Sequence, residues 1–200
     1  MKRLILALAL LAAAAGAAEA KPVWSWVSAS EYYFILPTGQ DLRLDGNAGT
    51  ELVKPWGFGI RGVGVDTVGK TAALQLQSVK VDNPATGKNN FYLLELLLGL
   101  EYVTPRAEGR PLRFKGSALA DLGLADNTLF AAPMLTAGLL YDTDPAAETP
   151  NGFTLDLFYR LTDVEIDNAG GGRGGTLKPA LGVKVGYIFE GFWTVKDKSK

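Results

Sequence analysis

The feature that most restricts the fold of this chain is a long two-residue alternation of side-chain character in residues 91–103. One set of alternating positions carries only leucine and tyrosine, whereas the other set is mixed and includes Glu95 and Glu101. Successive side chains of a β-strand point to opposite faces, so this period predicts a long strand with one apolar face. No run beyond Trp24 has a helical period. The sequence therefore predicts an all-β fold.

The same alternation recurs between clusters of glycine, proline, asparagine and aspartate. It is strong in three further segments and weaker in four, which are 112–124, 153–163, 177–189, 23–35, 57–68, 72–81 and 129–141. Eight long strands joined by turns predict a single antiparallel up-and-down β-barrel. The longest predicted loop is 36–56, and a glycine-rich loop spans 167–175. A short extra hairpin running from Pro37 to Leu44 leaves a count of ten strands open.

Strand length indicates which way the apolar faces point. The ten steps from Tyr92 to Tyr102 span about 33 Å, and a tilt of about 40–45° reduces this to about 24 Å of height. That height matches the apolar band of a transmembrane barrel, and tyrosines at both ends match its interfacial girdles. We therefore predict that the following side chains face lipid: Tyr92, Leu94, Leu96, Leu98, Leu100, Tyr102, Phe153, Leu155, Leu157, Tyr159, Leu181, Val183, Val185, Tyr187 and Phe189.

The opposite faces carry acids and bases in nearly equal number. An eight-stranded barrel is just wide enough for side chains to fill it, and paired charges offset the cost of their burial. We expect ion pairs in the lumen, with Glu95 or Glu101 close to Arg113 or Lys115 on the neighbouring strand. The full set is Glu95, Glu101, Arg113, Lys115, Asp121, Asp156, Arg160 and Lys184. One alternative stays open: a soluble periplasmic barrel with these charges outside and the leucine rows binding an apolar ligand inside.

The first twenty residues have the pattern of an export signal. Lys2 and Arg3 precede an apolar run from Leu4 to Ala15, and an Ala-x-Ala ending closes at Ala20. These features are typical of a secretory signal peptide. We therefore expect a signal peptide over 1–20, a barrel domain over 21–193 and a short polar tail over 194–200.

Composition excludes several classes of function. The chain has no cysteine and no histidine, which removes disulfides, thiolate chemistry, most zinc sites and Ser-His-Asp hydrolysis. Twenty basic against 21 acidic side chains give no basic excess for nucleic acid. Residues 57–62 match the G-x-G-x-x-G pattern of a dinucleotide-binding loop, but they continue into an alternating strand instead of a helix. We predict no catalytic residue, cofactor or metal site, and hence no enzyme.

Together these features carry a resemblance to a known family. The signal peptide, the strands with terminal aromatics and the last strand from Gly182 to Phe189 resemble small bacterial outer-membrane barrels of the OmpA-domain, OmpX and OmpW type. The resemblance implies location in the outer membrane, with the lipid bilayer and the outer-membrane assembly machinery as partners. It implies a structural, small-solute or surface-binding role. The chain departs from the family by continuing past Phe189 through Phe192 and Trp193.

Overall fold

The computed structural model describes residues 24–25, 29–46, 49–63, 68–83, 87–105, 110–145, 150–170 and 172–190. The predicted signal peptide and the polar tail lie outside these ranges. The domain boundaries at 20 and 193 therefore stay predictions. No helix in the described part of the chain is long and apolar enough to cross a membrane.

Thirteen β-strands make up the regular structure of the described residues. In chain order they are β1 (Trp24–Ser25), β2 (Ala29–Leu36), β3 (Gln40–Leu44), β4 (Thr50–Val53), β5 (Trp56–Val63), β6 (Val68–Asn83), β7 (Gly87–Val103), β8 (Leu112–Ala125), β9 (Thr128–Asp142), β10 (Gly152–Arg160), β11 (Val164–Gly170), β12 (Arg173–Leu177) and β13 (Leu181–Phe189).

Eight of these strands close into an antiparallel barrel. Their order is β6, β5, β2, β13, β10, β9, β8 and β7, and the pairing of β7 with β6 completes the ring. Each strand pairs with the next one along the chain, apart from the short strands inserted between them, as an up-and-down barrel requires. The prediction of an all-β, eight-stranded antiparallel barrel is confirmed. The two-residue β1 pairs in parallel with the start of β6.

The ladder registers fix the tilt of the barrel. Paired residues followed around the ring from Val103 lead through Lys115, Gly138, Asp156, Lys184, Ile35, Gly57 and Gln77 back to β7 at Leu93. The circuit returns ten residues along the same strand. Ten residues of stagger at about 3.3 Å, over eight strands about 4.8 Å apart, correspond to a tilt of about 41°. Tyr92 and Tyr102 are then about 25 Å apart along the barrel axis.

The other four longer strands form a small sheet, here named the cap, with the order β11, β12, β3 and β4. Barrel strands β2, β5, β10 and β13 continue into it through connectors at 37–39, 54–55, 161–163 and 178–180. Three connectors contain a proline (Pro37, Pro55 and Pro179), which cannot donate to a ladder. The cap lies at the end of the barrel that we name apical, and the opposite end is basal.

The cap is held by an apolar core of its own. Leu42, Leu44 and Ile166 of the cap pack against Val79 and Phe91 on the apical part of β6 and β7. The alternation over 177–189 predicts that Leu177 shares the outer row of Leu181, but Leu177 is fully buried in this core. The prediction is wrong because the connector with Pro179 separates Leu177 from β13.

Several predicted boundaries were also wrong. The predicted loops 36–56 and 167–175 contain the cap hairpins β3–β4 and β11–β12, whereas the sequence allows only one short extra hairpin, near the position of β3. The aspartate, asparagine and proline at 82–84 predict a turn over 82–89, but its described residues belong to the ladder, because β6 and β7 pair as far as Asn83 and Gly87. Strand β10 ends at Arg160 instead of 163, and β5 ends at Val63 instead of 68. Polar and glycine-rich residues predict loops, whereas here they form hairpins above the barrel.

Candidate functional site

The outer surface of the barrel is a continuous apolar band. All fifteen side chains predicted to face lipid lie on this outer face: Tyr102, Val183 and Phe189 are half-buried and the rest are exposed. Other strands add exposed side chains outside that predicted set, among them Tyr32, Phe34, Trp56, Phe58, Leu74, Phe114, Leu122, Leu124 and Tyr141. Contact of this band with lipid stays a prediction.

Aromatic rings border the band. At the basal end, Phe153 meets Tyr187 edge-on with 5.1 Å between ring centroids, and Tyr32 stacks on Phe189 at 5.4 Å. Toward the apical end, Phe34 stacks on Trp56 at 6.1 Å. Amphipathic rings favour the headgroup level of a bilayer, so the two ends of the band have the chemistry of membrane interfaces.

The barrel interior contains many charged side chains, but their charges nearly cancel. Five buried acids, Glu31, Glu95, Glu101, Asp121 and Asp156, share it with five buried bases, Arg61, Arg113, Lys115, Arg160 and Lys184, and Asp142 lies buried at the basal rim. All eight predicted lumen residues are among them. Glu31 and Arg61 were missed, because one lies in a weakly alternating aromatic strand and the other in the glycine-rich 57–62.

A basal polar layer centres on Arg61. Its guanidinium forms ion pairs with Glu31, with Glu101 at 2.9 Å and with Asp156 at 3.2 Å. The Lys115 ammonium lies 2.9 Å from Asp156 and 3.6 Å from Glu31. The Thr154 hydroxyl donates to Glu31 at 2.5 Å. Five strands are therefore joined across the lumen by charge-assisted contacts, which are the stronger class of hydrogen bond.

An apical polar layer centres on Glu95 and Arg160. Arg160 pairs with Glu95 and, at 2.8 Å, with Asp121. The amides of Gln75 and Gln77 donate to Glu95 at 2.7 and 2.5 Å. Direct side-chain contacts thus fill this level as well.

Lys184 neighbours this layer and has an aromatic environment. Its ammonium lies 4.7 Å from the Tyr33 ring centroid and 4.8 Å from that of Phe158, and it donates to the Gln75 side-chain carbonyl at 2.9 Å. Cation–π contacts stabilise a desolvated ammonium. Lys184 thus shares its interactions between two rings and an amide.

The salt bridges of Glu95 and Glu101 differ from those expected from hairpin adjacency. The ladder places Ser117 opposite Glu101 and Gly123 opposite Glu95, so neither glutamate has a base directly beside it. Glu101 instead reaches Arg61, and Glu95 reaches Arg160. Arg113 donates through Nε to the Thr104 carbonyl at 2.8 Å. Side chains cross the lumen because its width is comparable to their length.

Apolar side chains border the polar layers at both ends. The cap core lies above them, and Ala29, Val63, Leu140 and Ile188 cluster at the basal rim. A cleft at the joint between barrel and cap is lined by Thr38, Pro55, Leu181 and other residues, and its volume of about 10 Å³ holds at most one water molecule. Across the described ranges, no three acidic side chains are grouped to hold a metal ion.

This combination of an eight-stranded closed ring, an apolar exterior and a charged interior is the fold of small outer-membrane β-barrels. The outer membrane protein OprG from Pseudomonas aeruginosa superposes with a TM-score of 0.51 and 16% sequence identity, over 82% of this chain and 97% of that chain. The predicted resemblance to this class of fold is confirmed.

Two further solved barrels are similar at lower scores. Ail of Yersinia pestis has a TM-score of 0.44 and 13% identity, over 81% of this chain and 99% of its own. Neisserial surface protein A (NspA) has a TM-score of 0.40 and 16% identity, over 79% and 96%. No protein-family model matches the chain, and no curated protein matches its sequence.

Proposed function

We propose that this chain is an outer-membrane β-barrel that is closed to solutes and exposes its cap at the cell surface, in a structural or surface-binding role. The observation that carries the proposal is the inversion of polarity: Leu94, Leu96, Leu98 and Leu100 are 41–47% exposed, whereas Glu95 is fully buried on the same strand. In water, this arrangement would expose apolar side chains to solvent and bury charged ones. In a bilayer, both faces are matched to their surroundings.

The dimensions support the same proposal. The band between Tyr92 and Tyr102 is about 25 Å high, which equals the apolar height of outer-membrane barrels. Long connections in such barrels lie on the outer side and short turns on the periplasmic side. The cap hairpins and the extended β6–β7 hairpin lie at the apical end, so that end faces the cell exterior.

The filled lumen favours a closed barrel over a pore. Two polar layers with direct ion pairs occupy the interior, and apolar clusters border them. Opening a water-filled path requires breaking several buried pairs, each of which costs about 3–5 kcal/mol when one partner is lost. We therefore expect a small-solute role, if any, to be confined to the rim.

The soluble alternative requires the leucine rows to line an interior pocket. Those rows lie on the outer face, and the interior is occupied by charged side chains and a separate apolar cluster, so the leucine rows do not line an interior pocket. That the chain has no catalytic activity remains a prediction. Its insertion by the outer-membrane assembly machinery is a second prediction.

Fractionation and electrophoresis test this proposal. The protein should sediment with outer membranes, resist extraction by alkaline buffer and migrate differently in detergent gels with and without boiling. In planar bilayers the wild-type barrel should give no sustained conductance, and Arg160→Ala should raise the frequency of brief openings. Recovery in the aqueous periplasmic fraction without detergent would refute the membrane assignment, and steady wild-type conductance would refute the closed lumen.

A further inference from the structure

We infer that Lys54 and Lys80 form a binding site for the phosphate of an outer-leaflet lipid, whose acyl chains lie on the apolar wall below. This inference rests on the proposed function, because it requires the apical end to lie at the outer leaflet. It adds one specific lipid site to a barrel that otherwise needs only general contact with hydrocarbon.

The two lysines lie at the same end of neighbouring segments of the outer wall. The β5–β6 ladder ends with Trp56 beside Ser78. Lys54 lies two residues before Trp56, in the connector from β4, and Lys80 lies two residues beyond Ser78 on β6; β4 and β6 remain in contact. Both side chains are exposed. Two ammonium groups that share this edge of the wall repel each other unless an anion lies between them.

These lysines lack the acidic partners that the other well-placed lysines have. Lys178, at a comparable level near the cap, pairs with Asp163 at 2.5 Å, and Lys115 pairs with Asp156 inside the lumen. Among the described residues, neither Lys54 nor Lys80 has such an ion pair or an ammonium hydrogen bond.

The level of the site matches a lipid headgroup. Ser78 pairs with Tyr92, the residue that ends the apolar row on β7, so Lys80 lies just beyond the band. Asp82, the next outward residue of β6, lies one step farther from the bilayer. Lysines at this depth attract anionic headgroups, and the effect is worth about fivefold in affinity per residue.

An acyl-chain surface continues directly below the lysines. Trp56, Phe58 and Leu74 are 46%, 56% and 52% exposed, and Trp56 stacks on Phe34. An indole ring at the headgroup level with apolar side chains beneath it is suited to one amphipathic lipid. The combination of two ammonium groups with an apolar surface beneath them favours a lipid over a soluble anion as the ligand.

The test places a reporter on this wall and another on the far side of the barrel. Since the chain has no cysteine, Leu76→Cys and Leu157→Cys each give a single labelling position for a fluorophore. Leu76 faces outward on β6 beside Phe58, and Leu157 lies on β10, four strands away around the ring. The labelled barrels are folded into phosphatidylcholine vesicles containing phosphatidylglycerol at 10 mol %, with one lipid or the other brominated on its tails.

At position 76 we expect brominated phosphatidylglycerol to quench the fluorophore with a local association constant at least fivefold above that of phosphatidylcholine. At position 157 we expect the two lipids to have similar association constants. The double variant Lys54→Gln/Lys80→Gln should lose the preference at 76. The matched variant Lys178→Gln, which removes a lysine already paired with an acid, should retain it. Gel migration with and without boiling checks that each variant is folded.

Equal quenching by the two lipids at position 76, or a preference that survives the double variant, would overturn the lipid site while leaving the barrel assignment intact. Lack of quenching by either lipid at both positions would contradict membrane insertion itself. The two failures are therefore distinct.

Discussion

Replacing Leu98 with arginine separates a membrane-facing wall from a water-facing one. Leu98 is 41% exposed on the outer face, and its neighbours across the ladder are Ala72 and Ala120. These small residues offer the new guanidinium no partner. On a soluble barrel, a substitution at so exposed a position changes the free energy of unfolding by about 0.5 kcal/mol or less. In a bilayer, the same change places an unpaired charge in hydrocarbon.

The magnitude follows from the depth of the residue. Leu98 lies four residues from Tyr102 and six from Tyr92, hence about 10 Å inside the basal boundary of a band about 25 Å high. Arginine near the midplane of an outer-membrane barrel costs about 2–4 kcal/mol, and this cost falls to about 0–1 kcal/mol at the interfaces. Leu112, 47% exposed and paired with Tyr141 at the basal rim, is the matched interfacial position.

Equilibrium urea unfolding in phosphatidylcholine vesicles measures both variants. We expect Leu98→Arg to lower the free energy of unfolding by about 2 kcal/mol more than Leu112→Arg does. Equal effects at the two positions, or no effect at either, would refute the reasoning from depth.

Two further predictions concern the interior. Arg160→Ala leaves Glu95 and Asp121 without their shared cation, so the free energy of unfolding in vesicles should fall by about 3–5 kcal/mol. Lys178→Ala, at the half-exposed pair with Asp163, should lower it by about 1 kcal/mol or less; similar losses would show that the lumen pair is not desolvated. Gly182→Ala should destabilise the barrel by about 1–3 kcal/mol, because its methyl group meets the Phe158 ring. In Gly49→Ala the methyl group meets no atom within 4 Å, so stability should not change; a larger loss for Gly49→Ala than for Gly182→Ala would contradict the packing.

The barrel was predictable because its strands carry a strict period. In 91–103 and on β10 every charged residue falls in one of the two alternating sets, so the two faces of each strand can be distinguished from the order of residues alone. The cap was less predictable, since β3, β4, β11 and β12 are short, contain glycines and are joined to the barrel through prolines. Their apolar residues, such as Leu42 and Ile166, become significant only when the two hairpins meet in space.

The lumen shows the same limit. The sequence indicated which charges face inward, because facing follows from alternation. It did not indicate which pairs form, because Arg61 and Arg160 reach carboxylates on strands that are distant along the chain. Those contacts depend on the stagger of ten residues around the ring, which no single hairpin reveals.

Depth profiling of the leucine row tests the central claim most directly. Since the chain has no cysteine, one spin label at a time can replace Tyr92, Leu94, Leu96, Leu98, Leu100 or Tyr102 in the vesicle-inserted barrel. The account predicts that collisions with oxygen, relative to a water-soluble nickel chelate, rise from both tyrosines to a maximum between Leu96 and Leu98. A flat profile dominated by the nickel chelate would contradict it.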